Sequence, residues 1–316
     1  MQILSNTNSF KGIFTAIVTP FSPDGSIDWR GYERLVDLQL DGGVHGIVSC
    51  GTTGESPTLS SEEKQSLIEF TVRKCAKRAL VIAGTGGNET QKTVLDSKKA
   101  AQAGADAVLV VTPYYNKPSQ AGLEAHFKAV ADECPVPVIL YNVPGRTGVS
   151  LAADTVGKLS QHPQIVGIKE ATGNLNLLTE MKAAVAARPS SKPFYFLSGD
   201  DPTFWPFLAC GGDGVISVAS NILPRCMRVM YEDWNEGRIG GGLSLHERLL
   251  AFFNTLFIEP NPVPVKAVLS WEHQTHPRVR LPLVEMQQEN GEKLKAVWNA
   301  LLPHLKKDRP REDLHG

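Results

Sequence analysis

Residues 138–169 read VILYNVPGRTGVSLAADTVGKLSQHPQIVGIK and set the pattern of the whole chain. The stretch opens and closes on short, almost wholly apolar runs, Val138–Tyr141 and Val166–Lys169, and a polar string with proline and glycine follows the first. Such runs are what parallel strands buried on both faces require. Outward in both directions the unit recurs, predicting strands at Thr15–Val18, Gly46–Ser49, Leu80–Ala83, Ala107–Val111, Phe194–Leu197 and Gly214–Val218.

Amphipathic helices are predicted between the strands. Ser60 and Glu63 form an S-x-x-E capping box ahead of an apolar stripe Ile68, Val72, Cys75, Ala79. Asp28 caps a helix that turns Tyr32, Leu35 and Val36 inward, and Ser119 caps one carrying Leu123, Phe127 and Val130. Eight strands, each followed by a helix, predict a closed (β/α)8 TIM barrel. An open doubly wound sheet is the alternative. It calls for a glycine-rich phosphate loop after the first strand, where this chain has Thr19-Pro20-Phe21.

Beyond Leu223 only helical patterns continue, to about Leu302, with Leu294, Val297 and Leu301 on one stripe. The organisation expected is an N-terminal extension (1–9), the barrel (10–235), a C-terminal helical extension (236–303) and a charged tail (304–316) taken as poorly ordered.

Composition narrows the function classes. The 316 residues are 42% hydrophobic and 21% charged, with 32 basic and 33 acidic side chains and a net charge of -1. That balance exerts no long-range pull on nucleic acid or an anionic membrane. Five scattered cysteines with no C-x-x-C pair suggest neither a disulfide framework nor a zinc site. No secretory signal and no spanning segment are read, so the expected location is the cytoplasm. His273 and His276 form an H-x-x-H without partner ligands and are read as surface residues; no metal is expected.

In a barrel of this kind the chemistry sits at the carboxyl ends of the strands. Read in order, those ends are GTTGES (51–56), TPYYNKPSQ (112–120), YNVPGRTG (141–148), IKEATGN (168–174), LSGDD (197–201) and VISV (215–218). Lys169 closes an apolar run, where desolvation disfavours a charged amine. A neutral amine there attacks a ketone to form a Schiff base, an electron sink that turns the adjacent carbon into an enamine nucleophile. On this strand alone a second reading stands, a lysine that snorkels outward or pairs with Glu170. Tyr141 ends the preceding strand and is either an acid–base for that chemistry or a core tyrosine with its hydroxyl at the rim. GTTGES offers hydroxyls and clustered N–H groups for an anion but lacks the G-K-[ST] ending of a phosphate loop; taken alone it reads first as a plain turn. Arg146 could fork onto a carboxylate or simply be solvated.

Together the segments GTTGES, VTPYYNKPSQ, YNVPGRTG, GIKEATGN, LSGDD, GGDGVISV and EPNPVPVK resemble, in order and from about Phe10 to about Leu302, the dihydrodipicolinate synthase and N-acetylneuraminate lyase superfamily. The resemblance implies that Lys169 carries pyruvate as a covalent Schiff base, with no separate cofactor. It implies that Tyr141 moves protons in a relay with Thr52 and Tyr115, the latter reaching into a neighbouring subunit. Thr53 is implied as the contact to the pyruvate carboxylate and Ile216 as the position whose main chain lies beside the lysine. Gly199 and Asp200 are implied to line the aldehyde pocket. At least a dimer is implied, and usually a tetramer built as a dimer of dimers.

Arg146, two residues past YNVP, matches the synthases, where it holds the carboxylate of L-aspartate 4-semialdehyde. The implied reaction is therefore pyruvate plus L-aspartate 4-semialdehyde giving 4-hydroxy-tetrahydrodipicolinate. The rival within the superfamily is an aldolase for a sialic acid or keto-deoxy sugar acid. A rival of another class, a barrel that has lost catalysis and only binds metabolites, would lack Lys169, Tyr141 or Thr52. Lysine-sensitive members carry histidines and a glutamate where this chain has Ser61, Lys64 and Lys92, though Asn88 and Tyr114 remain. Two added ammonium groups repel those of lysine, so weak or absent feedback inhibition is expected.

Overall fold

The computed structural model of the protein describes residues 9–188, 192–273 and 275–307. The expected extension over 1–9, apart from its last residue, and positions 308–316 of the expected tail lie outside the described residues.

Eight parallel strands close into a barrel in sequence order: β1 (Gly12–Ala16), β2 (Gly46–Ser49), β3 (Leu80–Gly84), β4 (Ala107–Val111), β5 (Val138–Asn142), β6 (Ile165–Glu170), β7 (Tyr195–Ser198) and β8 (Gly214–Ser217). The TIM barrel expected from the sequence is the fold observed. Helices α1 (Trp29–Asp41), α2 (Ser61–Cys75), α3 (Thr90–Gln102), α4 (Gln120–Glu133), α5 (Pro144–Thr147), α6 (Ala153–Leu159), α7 (Leu175–Ala186), α8 (Phe204–Ala209) and α9 (Pro224–Asn235) alternate with the strands. Three more, α10 (Ile239–Thr255), α11 (Val263–Glu272) and α12 (Gln288–Lys307), follow the last strand.

Strand alternation divides the core in two. Phe14, Val48, Ile82, Leu109, Tyr141 and Ile216 fill the barrel, while their strand neighbours such as Ile47, Val108, Val110 and Ile168 pack under the helices. Because Ile168 faces the helices, Lys169 faces the barrel interior.

The first strand begins three residues earlier than its β-branched run predicts. Gly12 pairs with Gly214 and Phe14 with Gly46, and at Gly12 the chain takes a φ of +110°, open to glycine. After Ala16 the N–H of Val18 leaves the ladder for Asn221 Oδ1 at 3.1 Å, so the apolar run continues as loop.

Asp28, Ser60 and Ser119 each accept an N–H in the first turn of the helix that follows, as their residue types predict. The buried stripe of α2 is Leu67, Ile68, Thr71 and Cys75, rotated from the expected one. Thr71 turns inward because its hydroxyl bonds back to the Leu67 carbonyl at 2.7 Å and meets the Tyr32 hydroxyl at 2.8 Å. The helix ends at Cys75, leaving Ala79 buried beyond it. On α12 Trp298 takes the buried place expected for Val297, and its indole N–H donates to Glu272 at 2.7 Å.

Candidate active site

The register of the barrel sets Tyr141 beside Lys169 and Lys169 beside Leu197 at the carboxyl ends of β5, β6 and β7. Lys169 is 6% exposed, and its Nζ lies 4.3 Å from the centre of the Tyr141 ring. Glu170, one residue on, points the other way. Its carboxylate accepts from Asn142 Nδ2 at 2.7 Å and from the Thr172 N–H at 2.6 Å, and burial holds its pKa above the usual carboxylate value. The pairing of Lys169 with Glu170, left open by the sequence, is therefore not made.

The space for the lysine depends on Gly199. A Cβ there would stand 2.8 Å from Lys169 Cε and 2.5 Å from Ala171 Cβ, well inside van der Waals contact. Ile216 sits in the inner core with Tyr141 and Leu197. Asp200 turns one carboxylate oxygen to Thr203, accepting from its N–H at 3.1 Å and its hydroxyl at 2.7 Å.

A cleft of about 270 Å³ opens above this end of the barrel, with Thr52, Lys64, Tyr114, Tyr141, Arg146 and Thr147 in its wall. Thr52, Tyr141 and Arg146 are thus brought to one space; Lys169, Thr53, Ile216, Gly199 and Asp200 lie outside its wall. Arg146 rides on the short helix α5, exposed. That turn is held by Thr147, whose buried hydroxyl donates to the carbonyl of Val149 at 2.9 Å. Tyr115 takes no part in the cleft of its own chain: its backbone is left-handed (φ +72°) and its side chain is 91% exposed.

The GTTGES turn is bracketed by two non-glycine residues in left-handed conformation, Cys50 (φ +57°) and Glu55 (φ +56°). Strain of this kind persists only where the surroundings over-determine it. Here they do. Thr19 Oγ1 donates to the Gly54 carbonyl at 2.8 Å, and Asn261 Nδ2 donates to Thr53 Oγ1 at 2.9 Å. The Glu55 carboxylate is ion-paired with Lys266, both fully buried, and accepts from the Arg280 N–H at 2.9 Å. Burial pushes the Cys50 thiol up to about 11, so it remains a thiol in this wall.

Sequence reading did not single out Glu55, Asn261 and Lys266, which hold the GTTGES turn. The signal was a lysine and an asparagine inside the otherwise apolar and proline-rich EPNPVPVK. Of the positions that the resemblance matches to a lysine site, Lys64 and Tyr114 face the cleft, whereas Lys92 is paired with Asp96 at 2.9 Å. Among the described residues no grouping of three or more His, Cys, Asp or Glu could hold a metal ion, and no helix is long and apolar enough to cross a membrane.

Comparison with known proteins bears directly on this arrangement. The model of the dihydrodipicolinate synthetase family matches residues 9–301. The chain belongs to that family. Among its members, the 4-hydroxy-tetrahydrodipicolinate synthase of Thermodesulfovibrio yellowstonii is 48% identical over 288 residues, 91% of this chain and 97% of the relative. The solved 4-hydroxy-tetrahydrodipicolinate synthase of Methylacidiphilum fumariolicum SolV superposes with a TM-score of 0.90 at 43% identity, covering 95% of this chain and 98% of that one. The chloride-inhibited dihydrodipicolinate synthase of Acinetobacter baumannii, solved with pyruvate, gives 0.89 at 40% identity over 93% of this chain and 99% of that one. Family membership fits a barrel with Thr52, Tyr141, Lys169 and Gly199 at the carboxyl ends of β2, β5, β6 and β7.

Proposed function

We propose that the chain condenses pyruvate with L-aspartate 4-semialdehyde to 4-hydroxy-tetrahydrodipicolinate through a Schiff base on Lys169. What carries the reading is the Lys169 amine against the Tyr141 ring, beside a cleft whose wall also holds Arg146.

In this reading the Lys169 nitrogen attacks C2 of pyruvate with its lone pair, the carbonyl oxygen leaves as water, and a C=N bond forms. The cationic imine withdraws electrons, so the methyl carbon gives up a proton and becomes nucleophilic. It bonds to the aldehyde carbon of the semialdehyde, whose oxygen takes up a proton. The amino group of the semialdehyde then displaces Lys169 from C2, closing the ring and returning the free lysine. Tyr141 carries protons in these steps, with Thr52 in the same cleft wall as its neighbour. Thr53 takes the pyruvate carboxylate, and Ile216, Gly199 and Asp200 stand around Lys169 beneath the cleft rather than in its wall. No cofactor or metal enters this scheme.

Arg146 supplies the choice of aldehyde. Its exposed guanidinium on the cleft wall suits a second carboxylate, bound as a two-pronged charge-assisted pair. That favours the semialdehyde over a sialic acid or keto-deoxy sugar acid. The exposed Tyr115, held in a left-handed turn, supports assembly with a second copy, for which we propose a homotetramer built as a dimer of dimers. The cytoplasm is the location proposed.

The test is turnover of pyruvate and semialdehyde, coupled to the next reductase and followed as NADPH loss. Arg146→Ala should raise the semialdehyde KM by about 10²-fold, the worth of a charged hydrogen-bonded pair. Absence of turnover in the parent, with pyruvate still trapped on Lys169, would redirect the reading to sugar-acid aldehydes.

A further inference from the structure

The loop Gly51–Ser56 is not held by the barrel alone. Three residues from beyond α10, each more than 200 positions away in sequence, close on it. Asn261, just before α11, donates its amide to the Thr53 hydroxyl. Lys266, on α11 and 1% exposed, ion-pairs with Glu55 and donates to the Arg278 carbonyl at 2.9 Å. Arg280 donates its N–H to Glu55, and its guanidinium reaches the Thr58 carbonyl at 2.9 Å and Glu63 at 2.7 Å. Phe21 lies between the two cations, its ring 4.2 Å from Lys266 Nζ and 4.3 Å from the Arg280 guanidinium carbon.

These contacts act on the reacting end of the loop in two ways. A hydroxyl that accepts from an amide directs its own proton elsewhere, so the Asn261 amide leaves the Thr53 O–H to donate to an anion. Glu55 is linked in turn to Thr52, because its N–H donates to the Thr52 carbonyl at 3.0 Å within a turn also closed by Gly54 N–H to Gly51 at 3.1 Å. A displaced Glu55 side chain therefore displaces both threonines. Burial pulls the Lys266 ammonium down to about 8 against the attraction of Glu55, a sign of how dry the slot is.

We propose that Asn261 and Lys266 are positioning residues for the pyruvate carboxylate, Asn261 by setting the Thr53 hydroxyl as a donor and Lys266 by fixing the loop through Glu55. The helical region after the barrel thereby becomes part of the active site. The inference rests on the reading of Thr53 as the carboxylate contact and of Lys169 as the pyruvate-binding amine.

The experiment measures, on the full-length protein, the pyruvate concentration that half-saturates borohydride trapping on Lys169, alongside the semialdehyde KM and the melting temperature. Thr53→Val tests the underlying reading: an unchanged pyruvate half-saturation there removes Thr53 as the contact and the proposal with it. A parent that traps no pyruvate overturns the Lys169 reading instead.

With both readings standing, Asn261→Asp is the cleanest probe, because the new carboxylate has the same shape but accepts the Thr53 proton. It should raise the pyruvate half-saturation about tenfold, the loss of one charge-assisted hydrogen bond, with the semialdehyde KM unchanged. Lys266→Met should do the same and also lower the melting temperature, since it strands a buried carboxylate. The pair Glu55→Gln with Lys266→Met removes the stranded charge. Its melting temperature should recover while pyruvate half-saturation stays raised. Recovery of both together would reduce Lys266 to a structural role, and an unaltered half-saturation in Asn261→Asp would overturn the proposal for Asn261.

Discussion

Lys169 Nζ stands 4.3 Å from the centre of the Tyr141 ring because β5 and β6 pair in a register that sets these residues side by side. In the proposed chemistry the hydroxyl of that tyrosine delivers and removes protons at the amine.

Replacing Tyr141 by phenylalanine keeps the ring and the packing and removes only the hydroxyl. We expect kcat to fall by about 10²–10⁴-fold, the range for loss of a positioned acid–base group, with melting temperature nearly unchanged. Stopped-flow or steady-state rates beside a thermal melt decide it. Full activity in the variant would place the proton transfer elsewhere.

Gly199→Ala adds a methyl group 2.8 Å from Lys169 Cε. The lysine must shift, and a displacement of that order in a reacting group costs roughly 10²-fold in rate. Overpacking should also cost about 1–3 kcal/mol of stability. Pyruvate trapping at the parent rate would show that the lysine has more room than the geometry gives it.

Buried His126 and half-buried His45 predict a pH dependence. Burial holds His45 and His126 down to about 4, while in the unfolded chain each titrates near 6.5. Below 6.5 the unfolded chain takes up protons that the fold refuses, so stability falls as pH drops from 6.5 toward 4. At the lower end each histidine accounts for up to about 3 kcal/mol. His126→Gln should flatten the melting temperature–pH curve in that window. Parallel curves for parent and variant would contradict it.

Inhibition by lysine should be weak or absent. Lys64 brings an ammonium group to the cleft wall, which opposes binding of another cation. Lys92 contributes less than its charge suggests, because Asp96 neutralises it within α3. A titration of activity with lysine tests this, and half-maximal loss at sub-millimolar lysine is the contrary result.

Much of this was legible in the chain because buried parallel strands leave an unmistakable apolar trace. β2 and β4 coincide with their predicted bounds, and the polar strings after β2, β5 and β6 mark the functional end. The offset of β1 covers Gly12, Ile13 and Phe14, and at Gly12 its cause is local. Gly12 enters the ladder by backbone pairing alone, and glycine carries no apolar signal. The offset stripe of α2 comes from Thr71, a polar residue that is buried only because Tyr32 and Leu67 satisfy its hydroxyl. Least legible was the hold of Asn261 and Lys266 on the GTTGES loop. No period or local propensity connects residues more than 200 positions apart, so only the folded chain brings Lys266 to Glu55.

In the proposed reaction Lys169 forms the covalent bond to pyruvate. The most direct measurement is borohydride reduction of the protein with pyruvate, followed by peptide mapping of the adduct. A single modified peptide containing Lys169 is expected, and no adduct in Lys169→Ala. An adduct that persists in Lys169→Ala, or that maps to another lysine in the parent, would contradict it.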